Sequence, residues 1–202
     1  MNNYDIDDTS YLGSSENYHE NGRPFSSYED HNGAHGSLES EFRETLKEAK
    51  EEEPGVWNNV QRVSSHSHVM IYIYNGTSEK FRLSSASWDT DGQNEKYTIE
   101  PWDYLLFVLR EDIPHFAKGR TSTQAKYNFT YQSENYAFEF LTRLWVRKEH
   151  SASSFDPTTI PLREHKIKTI GTKPLQCTSR ITRTVSTKPY HYGIVISLGG
   201  DY

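Results

Sequence analysis

From residue 66 onward the apolar positions recur in short runs rather than at helical spacing. HVMIYIYN (68–75) mixes β-branched and aromatic residues and ends at an Asn-Gly turn signal. KFRLSSASW (80–88), KYTIE (96–100), DYLLFVLR (103–110), AKYNFTY (125–131), HKIKTIG (166–171), SRITRTVS (179–186) and YGIVISL (192–198) continue the series between polar loops. Eight short strand candidates with few helices between them point to an antiparallel sandwich or barrel, here taken as a mainly β body spanning 56–202.

Upstream the pattern changes. SLESEFRETLKEAKEEE (37–53) places Leu38, Phe42, Leu46 and Ala49 on one narrow stripe, with Glu39 and Glu41 in the first turn, where the helix dipole favours them. This predicts a helix over 37–53, stopped by Pro54-Gly55. So thin a stripe does not fill a core, so the helix is expected to lie on its own domain or on a partner. Residues 1–36 carry almost no aliphatics, yet Tyr4, Tyr11, Tyr18, Phe25 and Tyr28 punctuate them. Alone, such a segment does not bury enough apolar surface to offset its ordering entropy. It reads as a disordered tail or as an arm whose rings anchor on neighbouring chains.

One stretch is ambiguous. YQSENYAFEFLTRLWVRKEH (131–150) satisfies period two through Tyr136, Phe138, Phe140, Thr142, Leu144 and Val146. It satisfies period 3.6 through Tyr136, Ala137, Phe140, Leu141, Leu144 and Trp145. Ser133 as N-cap, Glu134 in the first turn and Arg143, Arg147 and Lys148 towards the end favour a helix over 133–148. The expected fold is therefore α+β: an antiparallel sandwich with an N-terminal arm, a projecting helix and a second helix near 133–148.

Composition narrows the function. Hydrophobic residues make up 34% and aromatics 13% of the chain, with 14 Tyr; large rings with polar handles suit contact surfaces as well as cores. Cys177 is the single cysteine, which excludes an intrachain disulfide framework and suits a reducing compartment. With no signal-peptide pattern or bilayer-length apolar run, a cytosolic or nuclear origin is expected, and the sequons at Asn75 and Asn128 read as accidental. A net charge of −6 without a basic stripe argues against nucleic-acid binding, and seven glutamates on the helix argue against membrane insertion.

No phosphate loop, nucleophile elbow or metalloprotease motif occurs, so the protein is not expected to be an enzyme. Asp89–Glu95 has a calcium-loop look but is flanked by strands, which favours a solvated hairpin loop. His66 and His68 lack a third spaced ligand, so no metal is expected. His191 reads as a surface or interface histidine.

The spacing Gln132-Ser133-x-x-x-Ala137-x-x-Phe140-x-x-Arg143-x-Trp145 resembles a segment near the C-terminal end of cypovirus polyhedrins. Tyr97-x-x-x-Pro101-x-x-Tyr104 is similar to a second motif of that family, and Tyr192–Ser197 resembles how its chains finish. The chain is shorter than usual members, and the gap between Trp145 and Tyr192 is longer. The resemblance implies a viral occlusion-body protein: a β-sandwich that trimerises, crystallises around virus particles in the host cytoplasm and dissolves at alkaline pH. In that reading Leu38, Phe42 and Leu46 reach into neighbouring trimers and Tyr4, Tyr11, Tyr18, Phe25 and Tyr28 fill lattice contacts. Phenolate and lysine titration near pH 10 then releases the lattice. Partners would be the chain itself and virions, with neither nucleic acid nor membrane. No cofactor is expected; a nucleotide between subunits is compatible with the family but has no support in the residues.

A rival resemblance exists. HVMIYIYN, ASWDTDG and KGRTSTQAKYNFTYQSENYAFEF look like parts of actinoporin-type and fungal fruit-body lectin sandwiches, in which 136–146 would be a strand and surface Tyr and Trp would bind a glycan or lipid headgroup. A β-rich accessory protein with a docking tail is the third reading.

Overall fold

A computed structural model describes residues 34–63, 66–111, 122–149 and 158–202. Its elements are helix α1 (Ala34–Arg62) and strands β1 (Ser67–Asn75), β2 (Arg82–Ala86), β3 (Asp103–Glu111), β4 (Ser122–Gln132), β5 (Ala137–Glu149), β6 (Thr158–Thr169), β7 (Cys177–Thr184) and β8 (Tyr192–Leu198). They form two four-stranded sheets, ordered β3-β1-β8-β7 and β2-β4-β5-β6. Every pairing is antiparallel except β1 with β8. The expected mainly β, α+β sandwich is thus present in outline.

The inner faces meet in an aromatic core. Phe107 of β3, Phe129 of β4, Phe140 of β5 and Trp88 pack edge to face or tilted, with Phe129 and Phe140 centroids 5.1 Å apart. Ile71, Ile73, Ile194 and Ile196 fill the space opposite. At one edge β6 is tied to β7's sheet: His165 Nδ1 lies 2.8 Å from Ser179 Oγ, and the Arg163 guanidinium donates to the Val185 carbonyl.

The segment expected as a helix at 133–148 is a strand. Phe138, Phe140, Thr142, Leu144 and Val146 point inward and alternate with the more exposed Glu139, Leu141, Arg143, Trp145 and Arg147. The residues that mimic a helix cap close a hairpin instead. The Ser133 N–H donates to the Tyr136 carbonyl at 2.8 Å, and Ser133 Oγ donates to Glu79 Oε2 at 2.6 Å. Glu79 also accepts from the Asn135 N–H and Nδ2. Pairing β5 on both sides, with β4 and β6, satisfies its backbone and buries its period-two face; propensity is the weaker term.

The helix is longer than expected. α1 runs through Pro54-Gly55 to Arg62, because Val56, Trp57 and Val60 extend the stripe of Phe42, Leu46 and Ala49 and are buried with it. Pro54 and Gly55 lie on the exposed side. Burying three large apolar side chains, at about 1.5–3 kcal/mol each, offsets the ~3 kcal/mol that an interior proline costs. The KYTIE segment is likewise not a strand. It forms a 3-10 turn, Asn94–Tyr97, followed by a single bridge between Ile99 and Phe81. The arm residues Tyr4, Tyr11, Tyr18, Phe25 and Tyr28 lie outside the described residues.

α1 lies on the outer face of the β3-β1-β8-β7 sheet, over Met70, Tyr72, Tyr74 and Val195. Phe42 meets the rings of Tyr202 and Trp102 edge-on at 5.0 and 5.8 Å. Tyr104 donates to Glu52 Oε2 at 2.9 Å, and Arg183 Nε donates to Glu53 Oε1 at 3.1 Å. β1 and β8 are therefore buried on both faces, which is why MIYIY and GIVIS read as unbroken apolar runs.

Candidate binding face

Among the described residues no helix covers the outer face of β4, β5 and β6. The pairing register fixes what it presents: Lys126 lies opposite Arg143, Arg143 opposite Glu164, Leu141 opposite Lys166 and Glu139 opposite Lys168. Trp145 lies opposite Leu162 and Arg147 opposite Ile160. Successive strand residues alternate faces, so these side chains share one side and the core residues take the other. With Arg82, opposite Gln132, the face carries six cations against the three carboxylates Glu139, Glu149 and Glu164. Along its middle runs a half-buried strip of Leu141, Trp145, Ile160 and Leu162.

Two of the carboxylates are engaged. Arg143 Nε donates to Glu164 Oε2 at 3.2 Å, and Arg147 pairs with Glu149 at 2.5 Å. The same Arg143 guanidinium lies 5.7 Å from the centroid of the Trp145 ring. A guanidinium held by a carboxylate on one side and an indole on the other is preorganised for an incoming anion, since its rotamer is already fixed.

The motif residues chosen from sequence do not converge on one place. Phe140 is in the sandwich core, whereas Trp145, expected inward, points outward beneath Arg143. Gln132 is exposed at the end of β4 and Ala137 opens β5. Tyr97 packs edge-on to Trp88 and Phe107 at 5.8 and 5.4 Å, and Pro101 lies in the turn before β3. Tyr104 sits under α1. Of the three lattice-helix residues, Phe42 and Leu46 are buried against the chain's own sheet and Leu38 is half-buried. That corrects the picture of a projecting helix: the stripe is narrow because α1 needs only one side covered. Lys126, Lys166 and Lys168, singled out by no motif, join Arg143 only through strand register.

His191, expected at a surface or an interface, lies inside the fold. It is buried, and it accepts from the His68 backbone N–H at Nδ1 (3.0 Å) while Nε2 donates to the Val63 carbonyl (2.9 Å). One neutral imidazole thus joins the end of α1 to the starts of β1 and β8. Burial lowers its pKa, and burial together with the neighbouring His191, His66 and Arg110 lowers that of His68 to about 4. Among the described residues no group of three or more His, Cys, Asp or Glu is placed to hold a metal ion, and no helix is long and apolar enough to cross a membrane.

The tyrosines expected to ionise together near pH 10 are not equivalent. Burial holds Tyr74 and Tyr192 up to about 12, pushes Tyr72 and Tyr104 higher still and raises Tyr131 well above its ordinary value; Glu52 adds to the shifts of Tyr72 and Tyr104. All five rings hold their protons above the pH at which a free tyrosine ionises. The Asn75 sequon is also closed, since the Asn75 amide is buried and donates to the Glu79 and Glu100 carbonyls at 2.8 Å each. Asp89–Glu95 is a solvated turn in which Asp89 Oδ1 accepts from the Asp91 N–H.

Compared with known proteins, the chain matches no protein-family model and has no significant match among curated proteins.

Proposed function

We propose that this protein is a non-enzymatic binding module that uses the outer face of β4-β5-β6 to recognise anionic groups, either the acidic groups of a glycan or the phosphate of a lipid headgroup. The carrying observation is the Arg143–Trp145 pair, set among Lys126, Arg147, Lys166 and Lys168 on the sheet face that no helix covers among the described residues. An aromatic plane for apolar contact beside fixed cations for charge is what such a ligand requires. The reading follows the actinoporin and lectin type of sandwich, in which 136–146 is a strand.

The occlusion-body reading depends on a helix at 133–148 and on Phe42 and Leu46 reaching other subunits. Here 137–149 is a strand and both side chains are covered by their own chain. Self-assembly retains only the arm as support, and intracellular crystals on expression in insect cells would restore it.

Binding of the full chain to a sulfated polysaccharide and to phosphatidylserine vesicles, at low and physiological salt, tests the proposal. Trp145→Ala and the pair Lys126→Ala with Lys166→Ala should each weaken binding about tenfold, worth ~1.4 kcal/mol. The lysine pair should also flatten the salt dependence. Unchanged affinity in both variants, or no binding to either probe, overturns it.

A further inference from the structure

Charge is divided unevenly along this chain. Residues 1–33 contain seven carboxylates (Asp5, Asp7, Asp8, Glu16, Glu20, Glu29 and Asp30) and one cation, Arg23. Residues 63–202 contain 17 Lys and Arg against 14 Asp and Glu. The acidity behind the chain's net −6 therefore belongs to the N-terminal portion, while the β body is basic and carries six of its cations on one open sheet face.

Resting on the binding face assigned above, we propose that segment 1–33 is a tethered, competing occupant of it: the chain's own acidic arm lies across the outer face of β4-β5-β6 and must be displaced by an external anionic ligand. Three observations converge. Seven carboxylates meet a face with an excess of cations, which attract across a shared Debye length. Tyr4, Tyr11, Tyr18, Phe25 and Tyr28 offer rings to the half-buried strip of Leu141, Trp145, Ile160 and Leu162 and to the Arg and Lys side chains beside it. The reach is sufficient. α1 begins at Ala34 on the far side of the sandwich, and the path round one edge is about 35 Å, with sheets ~10 Å apart and strands ~4.8 Å apart. Thirty-three residues extend to about 110 Å, so roughly twenty remain to lie along the face.

The tether selects the chain's own arm over that of a second copy. A linked segment acts at an effective concentration in the millimolar range, far above the concentration of another molecule in dilute solution. Each contact can then be weak, which leaves the arm displaceable by a multivalent polyanion.

The test uses the full-length chain and a variant in which the seven arm carboxylates become Asn or Gln. Neutralising Glu41, Glu44, Glu48 and Glu51 on α1, across the sandwich from the face, controls for net charge. The arm variant should bind the sulfated polysaccharide at least tenfold more tightly than the native chain and more tightly per charge removed than the α1 control. Backbone amide resonances of 139–147 and 160–168 should differ between native chain and arm variant but not between native chain and control. Equal polysaccharide affinities with unchanged β5 and β6 resonances overturn the arm contact and leave the binding face standing. Arm-dependent resonance differences without binding of any polyanion support the contact while removing the ligand class. Differences that disappear on dilution assign the arm to a second copy and overturn the tethered form.

Discussion

The two sheets of this sandwich bury one common aromatic core between them and differ on their outer faces. The β3-β1-β8-β7 sheet turns Met70, Tyr72, Tyr74 and Val195 outward, and α1 lies on them. The β2-β4-β5-β6 sheet turns Lys126, Arg143, Trp145, Lys166 and Lys168 outward, and among the described residues no helix lies on them. An outer face that is apolar must be covered, even by a helix that runs through a proline; one that alternates charge with a narrow apolar strip is stable in water without that cover. The first face holds the fold together. The second is where function is to be sought.

The strongest way to break this contrast is to uncover the first face. Phe42→Ala removes the ring that packs on Trp102 and Tyr202 and should cost about 3–5 kcal/mol in urea unfolding. A loss below about 1 kcal/mol would show that α1 is an appendage after all.

Alkali sharpens the same contrast. Tyr74 and Tyr192 have folded pKa values of about 12 against an unfolded value near 10, so the folded state keeps protons that the unfolded state has lost. Their contribution is fully present below pH 10 and disappears as pH rises through 12, on the order of 2 kcal/mol for each. Thermal unfolding between pH 9 and 12 should show a steep fall, moderated in Tyr74→Phe. A flat profile over that range would contradict the burial of these rings.

Acid acts on the joint between helix and sheet. His68 and His191 have pKa values lowered by burial, so the unfolded state takes up protons first as pH falls below 6.5. Stability that is complete above pH 6.5 should decline towards pH 4. His191→Ala should lose about 1–3 kcal/mol at pH 7, since it leaves the His68 N–H and the Val63 carbonyl without their partner. It should also flatten the acid decline, which chemical denaturation at pH 5 and pH 7 would reveal.

The second face should be nearly silent in stability. Arg143→Ala breaks an ion pair whose carboxylate partner is half exposed and should change unfolding by less than about 1 kcal/mol. A cost above 2 kcal/mol would make Arg143 a structural residue and weaken its assignment to ligand binding.

Some of this organisation was legible in the chain. MIYIY in β1 and GIVIS in β8 announced strands; that both faces of each are buried came only with the helix laid over their sheet. Phe42, Leu46 and Ala49 announced the helix. The alternation of 138–146 was present as well, but an equally good helical stripe and a Ser-Glu start competed with it. Ser133 looks the same in sequence whether it caps a helix or closes a hairpin on Glu79, 54 residues away. Pro54 reads as a stop because the gain from seating Val56, Trp57 and Val60 on another element is invisible locally.

The binding face shows the limit most clearly. Lys126, Arg143 and Lys166 come from three strands that are far apart in the chain. By itself the sequence determined a β-rich body, an amphipathic acidic helix and a marked division of charge between the N-terminal portion and the rest, since periodicity and composition are local properties. Only the tertiary structure decided that 137–149 is a strand, that the helix covers its own sheet and that the cations gather on the opposite one. Those outcomes depend on which strands pair and in what register, and a single-residue shift in register would turn Arg143 into the core and Phe140 into water.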